Sequence, residues 1–300
     1  MIQAELIERF LVPPDKKKVR LKDYDPGWDQ TKELKELGKD AVKERAQAVL
    51  AQNIADLSEA QQLLYANDIY SVLIVFQAMD AAGKDGTIKH VMSGVNPQGV
   101  QVFSFKAPSA EEIDHNFLWR YMRCLPERGR IGIFNRSYYE DVLVVRVHPE
   151  ILERQKLPPG DRDEKFWENR YQDIKSFERH LARNGTLILK FFLNVSKDEQ
   201  KRRFIERLDN PEKNWKFSAA DLAERGHWNA YMDAYEEALA ATSTKHAPWY
   251  VVPADHKWAT RAIVADIITS AIRGLGLRSP EVSNAQRKTL AEARKQLQAE

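Results

Sequence analysis

The 300-residue chain holds one cysteine, Cys124, which excludes an internal disulfide and a cysteine-built zinc site. That scarcity is the usage expected of a protein kept in a reducing cytoplasm. Charge of one sign is equally scarce: 46 Lys and Arg against 44 Asp and Glu leave a formal +2. This is too little for a general nucleic-acid binder or a polybasic membrane protein, so any anion site must be local. No stretch approaches the roughly 20 apolar residues that span a bilayer, and the charged opening MIQAELIERF does not read as a secretory signal. The seven histidines show no pairing at metal-ligand spacing and read as core, cap or surface residues. What the chain does have is 43% hydrophobic and 10% aromatic residues, ample material for a buried core.

Residues 1–39 carry Pro13, Pro14, the run Lys16 to Lys18 and the turn-like Asp25-Pro26-Gly27, and read as an irregular N-terminal arm. From Val42 to Leu64 apolar residues recur mostly every three or four positions, which predicts a helix over 40–67. SVLIVF at 71–76 reads as a strand buried on both faces. Further strands are predicted over 100–105, 130–134, 186–193 and 249–252. Helices are predicted over 83–93, 109–123, 164–183, 198–208, 228–241 and 258–275. Ser109 and Glu112 have the spacing of a capping box at the start of the second of these. Strands alternating with helices predict one α/β domain over 40–278, a parallel five-stranded sheet with helices on both faces. The highly charged residues 279–300 read as a weakly helical or disordered tail.

The strongest chemical signal lies between the first buried strand and the next helix, at Ala78-Met79-Asp80-Ala81-Ala82-Gly83-Lys84-Asp85-Gly86. A phosphate-binding loop needs inward backbone N–H groups, a helix N-terminus and a lysine that reaches terminal phosphates. Gly83-Lys84 supplies these in the right context. The segment departs from the Walker A pattern twice, with Ala78 at the first glycine and Asp85 at the magnesium-holding hydroxyl. Asp80 is then a candidate Mg²⁺ ligand, with a helix N-cap as its plainer reading. A second cluster, Asn135-Arg136-Ser137-Tyr138-Tyr139-Glu140-Asp141, follows the third strand, where α/β nucleotide sites gather. Asn135 stands where an acid is usual, Glu140 and Asp141 offer the missing charge, and the planar fork of Arg136 suits phosphate. The plainer reading is a helix start with solvated charges. The third cluster runs from Ser196 to Lys216. Its Arg203 and Arg207 share a helix face, as in a lid that closes over substrate, or equally in a surface helix laced by i,i+4 pairs.

Together, A-M-D-A-A-G-K-D-G at 78–86, F-N-R-S-Y-Y-E-D at 134–141, D-N-P-E-K-N-W-K-F-S at 209–218 and H-A-P-W-Y-V-V-P-A-D-H-K at 246–257 resemble the second family of polyphosphate kinases, over roughly residues 40–275. The resemblance implies a P-loop kinase-like fold with a helical lid at about 198–227. It also implies reversible, Mg²⁺-dependent transfer of phosphoryl groups from inorganic polyphosphate to AMP and ADP, because the Asn135 version of the second block looks like the subgroup that accepts both. By the same likeness Asp80, Lys84, Arg136, Glu140 and Asp141 are catalytic, and Asp80 and Asp141 hold the metal. Ala81, Ala82, Gly83, Lys84, Asp85, Gly86, Lys89, Arg136, Arg203 and Arg207 contact phosphate. The polymer would need a basic track, for which Lys89, Arg120, Arg123 and Arg128 are candidates. Ala78 departs from the family's usual glycine. The expected partners are polyphosphate and AMP, ADP or ATP, with no nucleic acid and no membrane, in a cytoplasmic homo-oligomer, a dimer or tetramer. An ATP-dependent nucleoside monophosphate kinase would share loop, sheet and lid, and differs in its donor. A GTPase-like switch is disfavoured, since no Asn-Lys-x-Asp segment occurs.

Overall fold

The apolar run Ser71–Gln77 forms strand β1, with all seven residues buried, as a strand covered on both faces requires. In the computed structural model, which describes residues 7–14, 16–28 and 38–300, four more strands flank it. These are β2 (Val100–Ser104), β3 (Ile131–Asn135), β4 (Thr186–Asn194) and β5 (Trp249–Pro253). The order is β2-β3-β1-β4-β5 and every pairing is parallel. The chain therefore turns outward in both directions from β1. Loops leaving β1 and its neighbour β3 open at the same sheet edge, the crevice where α/β folds bind ligands.

The helices are α1 (Lys39–Asn67), α2 (Lys84–Val91), α3 (Ala110–Ile113), α4 (Trp119–Met122), α5 (Val144–Val147), α6 (Pro149–Arg154), α7 (Glu164–Arg183), α8 (Lys197–Asp209), α9 (Ala219–Gly226), α10 (Trp228–Thr242), α11 (Lys257–Arg273) and α12 (Asn284–Ala299). Helix α11 packs on α1 and α2, and α10 packs on α7 and α5, so the two groups cover opposite faces of the sheet. No helix among the described residues is long and apolar enough to cross a membrane.

Three departures from the expected elements have local causes. The helix predicted over 109–123 is broken into α3 and α4: the capping box of Ser109 and Glu112 starts the first as expected, but Asn116 accepts from the Leu118 N–H and diverts the chain into a turn. Helices α5 and α6 lie in a stretch whose pattern is too short to announce them. The arm at 1–39 is less irregular than expected. Phe10, Val12, Val19 and Leu21 are buried, and Val12 N–H donates to Trp249 O while Val251 N–H donates to Phe10 O, both at 2.8 Å. The arm thus covers the free edge of β5. Its residues 1–6, 15 and 29–37 lie outside the described residues. In the tail, a capping box at Ser283 and Gln286 opens α12, every residue of which is exposed.

One polar cluster is sealed inside the core. Lys190 of β4 and Glu178 of α7 are both fully buried, with Nζ 2.7 Å from Oε2. Lys190 also donates to Tyr139 Oη and Thr242 O, and Tyr138 and Tyr139 both donate to Glu178 Oε1 at 2.9 Å. Burial pulls the Lys190 ammonium down to about 8 even against its carboxylate partner. Removing one member strands the other charge in the core. Glu178→Ala should therefore lower the free energy of unfolding by about 3–5 kcal/mol, read as the shift in urea midpoint at constant slope. A loss below 1 kcal/mol would mean that water reaches the cluster.

Candidate active site

The loop from Ala78 to Gly83 carries β1 into α2. Two of its residues, Ala81 (φ +61°) and Gly83 (φ +107°), lie in the left-handed region, and glycine enters that region without the strain an L side chain meets. Ala78 is not among the residues of positive φ, so the usual glycine is not conformationally required there. Lys84 folds back over the loop, its Nζ 2.7 Å from Ala78 O and 3.5 Å from Met79 O. Burial pushes its ammonium below the ordinary lysine value, against the pull of Asp80. The first N–H groups of α2 have no partner earlier in the helix and face the loop, as anion sites at helix N-termini do.

At the end of β3, Arg136 takes φ +64°, a strained conformation for a non-glycine residue. It continues the ladder through its N–H to Phe76 O, and its Nη2 lies 3.1 Å from Asp80 Oδ1. Asn135 Nδ2 donates to Asp85 Oδ1 at 2.7 Å. The amide that stands where an acid is usual after β3 is thus bonded to the carboxylate that stands where the loop's hydroxyl residue is usual.

The paired acids part company. Glu140 lies in the field of Arg136, Lys84 and Asp80, and burial raises its pKa against the two cations. Asp141 turns away: its Oδ1 accepts from Gln155 at 2.7 Å, and Arg170 donates to its backbone oxygen at 2.8 Å. None of the groups acting on its carboxyl belongs to the phosphate loop. Asp141, expected as a metal ligand beside Asp80, thus has Gln155 and Arg170 as its carboxyl's neighbours. Asp221 of α9, which the sequence offers only as a helix start, stands close enough for the charge of Asp80 to act on it. Burial first, and then the charge of Asp80, hold its carboxyl above the ordinary range.

The lid residues also divide. Arg203, expected to contact phosphate, is buried and bonds Ala81 O, Ala82 O, Ala254 O, Asp255 O and Glu199, so its N–H groups are all engaged within the protein. Arg207 reaches Asp221 Oδ2 at 3.4 Å and keeps donors to spare. Helix α9 is tied to the body through Glu224, which meets His148 Nε2 at 2.8 Å and accepts from Tyr231. Lys89 is exposed on α2. Arg120 and Arg123 lie over the rings of Tyr121 and Trp119. Arg128 donates to Ile69 O, just before β1, and so stands at the opposite end of the sheet. It drops out of the expected basic track.

A cleft of about 580 Å³ is lined by Asp80, Arg136 and Glu140 together with Asp141, Arg170, Phe117 and Tyr121. Among the described residues no three His, Cys, Asp or Glu form a metal site by themselves. Mg²⁺ held by one or two carboxylates and completed by phosphate oxygens and water needs no such cluster. The hard-oxygen groups at the loop suit it.

A family model described as polyphosphate kinase 2 matches residues 40–278. The chain belongs to the polyphosphate kinase 2 family. It is 57% identical over 256 residues to an ADP-polyphosphate phosphotransferase of Rhodopseudomonas palustris, covering 85% of this chain and 89% of that relative. It is 46% identical over 286 residues to an AMP/ADP-polyphosphate phosphotransferase of Meiothermus ruber, covering 95% of this chain and all of that relative. The crystal structure of polyphosphate kinase 2 from Arthrobacter aurescens TC1 superposes with a TM-score of 0.76 at 45% identity, covering 83% of this chain and 87% of that one. The P-loop kinase-like fold is therefore shared at close range.

Burial raises the Asp141 carboxyl to about 6 from an ordinary 3.8. A raised carboxyl contributes stability that is full below the ordinary pKa and lost as pH climbs through the folded one. Asp141→Asn cannot ionise, so it should gain on the unmodified family member by up to about 3 kcal/mol between pH 4 and pH 7. Urea unfolding at the two pH values measures this, and an unchanged difference would mean that Asp141 is ionised at both.

Proposed function

We propose that this chain moves phosphoryl groups from inorganic polyphosphate to AMP and ADP, with Mg²⁺, and runs the reaction in reverse when ATP is abundant. One observation carries the reading: Asp80, Arg136 and Glu140 line one cleft with the rings of Phe117 and Tyr121, and Lys84 stands in the field of all three charges. At about 580 Å³ the cleft has the size of a small-ligand site, and its charge lies where an acceptor phosphate would emerge. The names of the relatives from Rhodopseudomonas palustris and Meiothermus ruber agree with this substrate class.

The chemistry needs positioning and charge neutralisation more than covalent help. The loop N–H groups and Lys84 hold the terminal phosphoryl group of the donor. Arg136 directs the acceptor phosphate toward it, so that an acceptor oxygen attacks the terminal phosphorus as the bond to the shortened polymer breaks. No protein nucleophile is required. Asp80, with Asp221 of the lid, is the pair to hold Mg²⁺, which when bound offsets charge on the phosphate oxygens. Glu140, half-buried between the loop and the acceptor end, is the group set to tolerate acceptors that differ by one phosphate unit.

The test supplies AMP, Mg²⁺ and polyphosphate as sole donor and resolves products over time, with ADP expected first and ATP after it. Efficient transfer from ATP to AMP with no use of polyphosphate would favour the nucleoside monophosphate kinase reading instead. If Asp80 organises the metal, Asp80→Asn should raise the Mg²⁺ concentration for half-maximal rate about tenfold or more, as losing a carboxylate from a site with one or two does. An unmoved Mg²⁺ curve would leave Asp80 as a partner of Arg136 only.

A further inference from the structure

The phosphate loop keeps its carbonyls to itself. Ala78 O and Met79 O are held by Lys84, Asp80 O accepts from Gln200 Nε2 at 2.9 Å, and Ala81 O and Ala82 O accept from Arg203 Nη1 at 2.9 and 2.8 Å. Gln200 and Arg203 lie one turn apart on α8 and are both buried. Arg203 is 4% exposed. Its other donors run to Ala254 O at 2.6 Å and Asp255 O at 3.1 Å after β5, and from Nε to Glu199 Oε1 at 2.7 Å. All five guanidinium N–H groups are engaged, and five is the full complement.

In a trans peptide the C=O of one residue and the N–H of the next point in opposite directions. Pinning Asp80 O and Ala82 O toward α8 therefore turns the N–H groups of Ala81 and Gly83 away from it. Ala81 holds its left-handed conformation at φ +61° only because its neighbourhood over-determines it: the peptide unit before it is held by Gln200 at Asp80 O and the one after it by Arg203 at Ala81 O. We infer that Arg203 is a positioning residue: it shapes the phosphate loop from behind and touches no phosphate itself. The inference deepens the proposed function, since it takes the loop as the donor's cradle.

The test separates a brace from a phosphate ligand by keeping charge while changing shape. A phosphate contact made by charge alone would survive replacement by lysine, whereas a five-bond fork cannot be replaced by a point charge. Binding of inorganic tripolyphosphate, followed by calorimetry without nucleotide, should weaken about tenfold or more in both Arg203→Met and Arg203→Lys, the scale of lost hydrogen bonds to a charged group. Ala81→Gly should be close to neutral alone. Added to either Arg203 variant it should recover a good part of the loss, because glycine adopts the left-handed conformation unaided. Wild-type affinity in Arg203→Lys, or losses that Ala81→Gly does not relieve, would overturn the inference. Arg203→Lys keeps the test open if Arg203→Met does not fold. Tripolyphosphate binding with no transfer to nucleotide in the unmodified protein would count against the proposed function and leave this inference standing.

Discussion

A loop that binds phosphate by its N–H groups must find partners for its carbonyls on the opposite side, because the peptide unit ties the two directions together. In this protein three side chains from two places meet that demand. Lys84 comes from the loop's own helix, and Gln200 and Arg203 from a helix about 120 residues further along the chain. Those two residues also fix where α8 sits, and Arg203 reaches across to the turn after β5. The loop, the base of the lid and the last strand are therefore set by one group of bonds. Beyond α8 lie the turn at Pro211–Lys216 and α9, which is tied to the body through Glu224.

The acceptor side rests on a second buried arrangement. The turn at Tyr138–Val142 presents Glu140 and Asp141 to different ends of the cleft, and its two tyrosines are anchored on Glu178 and Lys190 inside the core. A buried ion pair gains little net stability, since desolvation offsets much of the attraction. Its return is geometric: the tyrosine hydroxyls have few other places to go, so the short turn between them is held in one conformation. The site thereby keeps several charges in a place where burial, more than any neighbouring charge, raises its acids and lowers its lysine.

Much of this was legible in one dimension. The buried strands, the βαβ alternation and the phosphate loop are local patterns, and their physical causes lie within a few residues: β-branched runs, capping residues, a Gly-Lys at a helix start. Ser109 and Glu112 marked their helix start for the same reason. The break at Asn116 was not visible, because its side chain competes with a helix that the surrounding periodicity supports. The short helices α5 and α6 were hidden by having too few residues for a period to show.

The sequence by itself determined the fold class, the family and the identity of the loop, since each follows from patterns carried by neighbouring residues. Tertiary structure alone decided which charges are engaged within the protein and which stay open to the cleft. Arg203 and Arg207 look alike on a helix, yet one is buried with every donor engaged and the other retains free donors. Glu140 and Asp141 are adjacent, yet one faces the loop and the other Arg170. Asp221 comes near Asp80 only through the packing of α9, and Asn135 meets Asp85 in a hydrogen bond between residues fifty apart. Charge and helical face can be read along a chain, but burial and partner choice are properties of the packed whole.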